Sequence, residues 1–127
     1  MQDNHLFEYA VIRVVPKVER EEFMNVGIIV FCKKQRFLQT LFTLNPERLK
    51  AFAPHLDVAE VEAYLHAFER ISSGARDSGP IGRMDAPSRF RWLTATRSTV
   101  VQTSKVHPGF CNDLPAAVGR LHAQLVL

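Results

Sequence analysis

Two apolar runs near the start of the chain, Leu6 to Val15 (LFEYAVIRVV) and Phe23 to Lys33 (FMNVGIIVFCK), narrow the folds open to this sequence more than any other feature. Both are rich in β-branched and aromatic residues. Pro16 stops the first, and the charged stretch Lys17 to Glu22 turns the chain before the second. Runs of this kind form strands. The first carries Leu6, Ala10, Ile12 and Val14 on one face and Phe7, Tyr9, Val11 and Val15 on the other. A strand apolar on both faces belongs at the centre of a sheet or under cover on both sides. The second alternates Met24, Val26, Ile28, Val30 and Cys32 with Phe23, Asn25, Gly27, Ile29 and Phe31. Gly27 inside it predicts a bulge or a close backbone approach, and Asn25 is its odd polar residue.

Lys34-Gln35 form a short connection to a third strand, Arg36 to Leu44, and the three strands make an antiparallel meander. Asn45 then caps a short helix from Pro46 to Ala53. Asp57 followed by Glu60 is close to a capping box and opens a helix over Val58 to Ile71. Its apolar stripe is Val58, Val61, Leu65 and Phe68, joined by Tyr64 and Ile71, with Glu60, Glu62, His66, Glu69 and Arg70 facing out. Ser72 to Gly82 is a loop and not a domain boundary, since too little chain follows to build a second core. Ser88 to Thr94 reads as a short helix or an irregular edge, and Ser98 to Val106 as a fourth strand that His107-Pro108-Gly109 breaks. Asn112 or Asp113 caps a last helix with the stripe Leu114, Val118, Leu121 and Leu125. This order implies an α+β fold in one domain spanning residues 1–127. Its antiparallel sheet has about four strands, with helices packed mainly on one face. The fourth strand is expected beside the first, near the centre.

The length of 127 residues agrees with one domain. Such a chain can bury enough surface to need neither disulfides nor a structural metal. A net charge of +3 and a pI near 9.1 permit weak attraction to phosphate and say little else. Cys32 lies in an apolar run and reads as a small buried hydrophobe. Met1 to Glu8 lacks the apolar core of a signal peptide, and no run approaches the roughly 20 residues that cross a bilayer. A cytoplasmic protein without membrane association is expected.

Potential chemistry concentrates between Arg89 and Asp113, which hold the single Trp, Cys111, three arginines and the His-Pro-Gly element. Cys111 precedes a predicted helix N-terminus, and His107 lies four residues upstream. A Cys111–His107 nucleophilic pair is therefore the sharpest enzyme hypothesis. Asp113 opposes it by competing for the same helix end, and a capping turn with an inward Cys111 is the simpler reading. The five histidines form no recognised zinc spacing with each other or with cysteine, and phosphate-loop and dinucleotide fingerprints are absent. Neither a metal nor a cofactor is expected. Arg83, Arg89, Arg91, Arg97 and Lys105, interleaved with Phe90 and Trp92, suit a phosphate or single-stranded nucleic acid. Alternation of Arg89 and Arg91 with the aromatics also describes solvated arginines around a core Trp92, and this reading is favoured over nucleic acid. Arg97, next to Ser98 at a strand start, is expected to be partly buried and to need a carboxylate or an anion, with Glu22 a candidate mate.

Three blocks of the chain resemble a bacterial family known as domain of unknown function 3037. Tyr9 to Pro16 running into Arg20, Glu22-Phe23 and Asn25-Val26-Gly27 is similar to its strand-turn-strand opening with an RGE-F-N-x-G pattern. Ser88 to Ser98 (SRFRWLTATRS) and His107 to Asp113 (HPGFCND) resemble its second and third blocks. Glu21 stands where the pattern has glycine, which removes the residue best suited to a tight turn. The resemblance carries over Arg20, Glu22, Asn25, Gly27, Trp92, Arg97, Ser98, His107, Gly109, Cys111 and Asp113 as positions of interest. It implies no established activity. Members of the family are often encoded beside a kinase-like protein resembling the HipA toxin kinases, which implies an accessory or regulatory protein partner.

These observations together predict a small non-enzymatic binding module acting with a protein partner, a HipA-like kinase being the candidate. A polar cluster of Glu22, Asn25, Arg97, Ser98, His107 and Asp113 is expected to gather at the sheet ends. The alternatives are an enzyme using Cys111 and His107, and phosphate or nucleic-acid binding through Arg89, Arg91, Arg97 and Lys105. Homo-oligomerisation is compatible with each.

Overall fold

The first strand does lie inside the sheet. In the computed structural model, which describes residues 4–97 and 99–127, β1 (His5–Val14) pairs with β2 (Met24–Cys32), and β2 pairs with β3 (Phe37–Phe42), all antiparallel. Among the described residues the sheet has five strands. β4 (Val101–Thr103) and β5 (His107–Cys111) lie end to end along the remaining edge of β1. The fourth strand thus meets the first as expected, but it forms the border of the sheet and not its centre.

His107-Pro108-Gly109 does not break the strand. It is the strand: His107 pairs with Tyr9, Pro108 with Glu8 and Gly109 with Phe7. Between Thr103 and His107, three residues stand against two of β1, so β4 and β5 are halves of one strand interrupted by a bulge. Ser104 closes the interruption. Its N–H donates to the Val11 carbonyl (2.8 Å), and its Oγ accepts the Val11 N–H (2.8 Å). A side chain here substitutes for strand backbone. Pro108 is tolerated because β5 is an edge strand, where a missing N–H can face outward. Gly109 is required by contact, since a Cβ there would come within 2.5 Å of the Phe7 ring.

A second bulge falls in β2. The register shifts between Ile12↔Gly27 and Arg13↔Asn25, leaving Val26 without a partner on β1. Gly27 permits close approach to β3, for a Cβ would lie 2.8 Å from that of Phe42. Both outcomes anticipated for Gly27, the bulge and the close approach, therefore occur together.

The helices divide unequally between the two faces. α1 (Pro46–Phe52), α2 (Val58–Ser73) and α4 (Ala86–Leu93) bury Leu49, Val61, Leu65, Phe68, Phe90 and Leu93 against Ala10, Ile12, Val14, Ile29 and Phe31. α3 (Gly79–Gly82) is a single turn within the loop beside α2 and α4. α5 (Leu114–Leu125) alone covers the other face, setting Leu114, Ala117, Val118 and Leu121 on Phe7, Ile28, Val30 and Cys32. Side-chain caps start the helices where the sequence places them: Asn45 for α1, Asp57 for α2 and Asp113 for α5. Asp85 caps α4, resolving Ser88 to Thr94 as helix. Phe90 stacks on Phe31 at 4.9 Å between centroids, whereas Trp92 lies at the surface and is not a core residue. A helix turns neighbouring residues through about 100°, so Phe90 and Trp92 cannot both face inward.

Candidate functional site

The residues expected to cluster are spread along the sheet. Asn25 lies opposite Arg13 near the C-terminal end of β1, His107 opposite Tyr9 and Cys111 opposite His5. At the strand rise of about 3.3 Å per residue, His5 and Arg13 are roughly 26 Å apart along β1. Cys111 and His107 share one face of β5 four positions apart, about 13 Å along the strand. The structure does not bring them into hydrogen-bond reach. Cys111 is buried under α5 with Phe7, and the His107 ring packs 5.5 Å from that of Tyr9. Asp113 is occupied as the α5 cap, accepting from the Ala116 N–H at 3.0 Å.

The basic segment is also dispersed. Arg89 is committed internally: its guanidinium donates to the carbonyls of Met84 (2.6 Å) and Ser72 (3.5 Å), tying α4 to the end of α2. Arg97 stacks 4.0 Å over the Trp92 ring and donates to the Trp92 carbonyl, so it has found an aromatic and a carbonyl in place of Glu22. Glu22 is paired with Arg20, whose guanidinium holds the exposed Glu22 carboxyl below the usual range. Arg91 and Lys105 are exposed. Ser98 lies outside the described residues. Among those described, no three His, Cys, Asp or Glu side chains converge as a metal site, and no helix is long and apolar enough to cross a membrane.

A different constellation forms where β1 ends and β2 begins. Val18 to Arg20 make one turn of 3-10 helix, closed by Glu21 in the left-handed conformation (φ 56°). The tight turn survives without glycine. It delivers Phe23, 45% exposed, beside the first residues of β2. Phe23 is met by Arg13, whose guanidinium lies 4.0 Å over the ring. Arg13 occupies an interior strand, opposite Asn25 on one side and Gln102 on the other. No carboxylate pairs with it among the described residues, and its Nε is buried without an acceptor. Burial pushes its pKa down from the ordinary arginine value. Asn25 donates from Nδ2 to the Leu125 carbonyl at the end of α5 (3.1 Å), anchoring that helix terminus to the sheet.

Three open concavities adjoin this corner. One of about 370 Å³ is lined by Arg13, Val15, Val18, Glu21, Phe23 and Gln102. The next, about 400 Å³, is shared by Phe23, Asn25, Arg48, Phe52 and the C-terminal residues. A third, about 440 Å³, runs from Phe52 to Pro16, Lys17, Arg20, Glu22 and His55. Phe23 and Phe52, the latter 37% exposed, thus stand on the ridges between neighbouring hollows rimmed by charges of both signs. In the sequence, the apolar neighbours of Arg13 mask it as a site residue. The signal was available, since Arg13 is the single charged residue between Glu8 and Lys17.

Searches of curated proteins and of solved structures give no significant match. A family model described as "Protein of unknown function (DUF3037)" matches residues 9–126, nearly the whole chain. The chain belongs to that family.

Proposed function

We propose that this protein is a non-enzymatic binding module whose partner docks on the corner formed by Phe23, Phe52 and the turn between β1 and β2. The observation that carries the reading is the exposure of two aromatic rings on ridges between contiguous hollows. Binding surfaces concentrate their energy in a few such aromatic and arginine side chains, surrounded by a polar rim. Arg20, Glu22 and Lys17 supply that rim here. The surface also carries Arg20, Glu22, Phe23 and Asn25, the block through which the opening of the chain resembles the family pattern. A HipA-like kinase is the candidate partner, on the strength of the family resemblance, and the module would act as its accessory or regulator in the cytoplasm.

Co-expression with a HipA-like kinase, followed by size-exclusion chromatography, tests this reading. Co-elution at micromolar concentration is expected. Independent elution overturns the kinase assignment. A second reading, self-association, rests on Leu6 and Phe110, which pair across β1 and β5 with 57% and 68% exposure. A concentration-independent monomer mass in light scattering would remove it.

A further inference from the structure

The interior-strand arginine has no internal explanation. Arg13 is partly buried, and an arginine nitrogen that is taken out of water ordinarily needs an acceptor or a bound anion. Arg89, the other arginine with an enclosed Nε, donates to two carbonyls. Arg13 has no hydrogen-bond or ion-pair partner among the described residues and is held by its stack on Phe23. Stacking fixes the plane of a guanidinium, and with Nε enclosed the two Nη groups are left to meet a planar oxyanion through two parallel hydrogen bonds.

We infer that Arg13 anchors a carboxylate-binding site whose ligand is a monoanionic acid on an apolar stem. The inference rests on reading this corner as a binding surface and adds the class of group that it takes. The hollow of about 370 Å³ places Val15, Val18 and Phe23 beside the guanidinium, and these walls suit a hydrocarbon stem. Gln102, the cross-strand neighbour of Arg13 on β4, lines the hollow beside it. Glu21 lines the same hollow and is not among the ion pairs of the described residues. The Glu21 carboxylate on the same hollow repels a dianion more strongly than a monoanion, so a carboxylate is favoured over a phosphate carrying about −1.5 to −2 charges. Asn25, opposite Arg13 on β2, is held by donation from Nδ2 to the Leu125 carbonyl, and its Oδ1 makes no hydrogen bond to Arg13. Glu21 also occupies the position where the family pattern has glycine. The Glu21 charge weakens the site for anions, and removing it should strengthen binding.

The test titrates labelled protein with isovalerate, with the capped peptide acetyl-Leu-Glu-Leu-amide and with inorganic phosphate, following the Arg13 Nε–Hε and Gln102 side-chain signals by NMR. Both carboxylates are expected to give saturable shifts below about 20 mM, within the millimolar range of weak single-anchor sites. Phosphate should bind more weakly. Tighter binding of the peptide than of the free acid assigns the site to an acidic segment of a partner, and the reverse order assigns it to a small metabolite acid. Glu21→Gln should tighten carboxylate binding at least about twofold, and Arg13→Met should weaken it about tenfold or more. Absence of saturation, phosphate binding as tight as carboxylate, or Arg13→Met retaining wild-type affinity would overturn the inference. Should Arg13→Met fail to fold, Glu21→Gln decides alone: unchanged or weaker binding overturns the site. Because no partner protein enters these titrations, a kinase complex without carboxylate binding rejects this inference alone, and carboxylate binding without a complex rejects only the kinase assignment.

Discussion

Replacing Ser104 by alanine tests whether one strand, interrupted by a bulge, runs from Val101 to Cys111. Ser104 is buried, and its Oγ is the acceptor for the Val11 N–H in the interior strand β1. Alanine leaves that N–H without a partner, and an orphaned buried donor costs roughly 1–3 kcal/mol. The lost donation from Oγ to the Lys105 carbonyl (2.9 Å) adds little, because Lys105 is exposed and water can replace it. The expected loss is therefore about 2 kcal/mol, a large fraction of the roughly 5–15 kcal/mol that stabilises a typical domain. For a chain of this length that corresponds to a fall in Tm of roughly 6–10 °C. Urea unfolding should show a lower midpoint with an unchanged m value. Amide exchange at Val11 should accelerate in the variant while Ile29, in the neighbouring strand β2 and away from the bulge, stays protected at the global level. A loss under about 0.5 kcal/mol with Val11 still protected would refute the argument, since it would mean that Val11 has another acceptor.

Two further substitutions probe the caps and the turn. Glu21→Gly should stabilise by about 0.5 kcal/mol, because the left-handed conformation costs a side chain roughly 1–2 kcal/mol while glycine loses part of that gain in the unfolded chain. Glu21→Ala should give no such gain in the same urea assay. Hydrogen bonds from Ser88 hold the Asp85 carboxyl below its usual range, so its contribution is present above the unfolded value near 3.9 and is lost as pH falls through the lower folded value. The stability difference between wild type and Asp85→Ala should be constant from neutral pH to about pH 5 and shrink below about pH 3.9. Finally, Cys32 and Cys111 are both buried, and thiol labelling at neutral pH should proceed only at the rate of unfolding. Rapid modification of Cys111 in the folded protein would revive a reactive-thiol reading.

The elements legible in the sequence are those whose causes are local. β1, β2 and β3 follow from β-branched runs, and Asn45, Asp57 and Asp113 announce their helices by capping groups two or three residues from the donors they satisfy. β5 was hidden because His-Pro-Gly has the local chemistry of a turn. Its strand conformation is imposed from outside, by the free edge of β1 and by the Phe7 ring that lies against Gly109. The site shows the same division. Asn25 and Gly27 stand out in an apolar strand, and both have structural reasons to be there. Arg13 needed the structure, because only the pairing on both sides of β1 shows that it lies in an interior strand, and among the described residues no acid forms an ion pair with it. The grouping of Arg97 with Glu22 failed for a similar reason: each found a nearer partner, Trp92 and Arg20 respectively.

The measurement closest to the central claim compares two double variants in a binding titration against the proposed partner, a HipA-like kinase. Phe23→Ser with Phe52→Ser removes the two ridge aromatics, while Arg91→Ser with Trp92→Ser alters the exposed part of the basic segment. The account predicts that the first pair weakens binding by about tenfold or more, as loss of interface aromatics commonly does, and that the second stays within about twofold of wild type. Wild-type affinity in the first pair, with loss confined to the second, would place the functional face on α4 and contradict it.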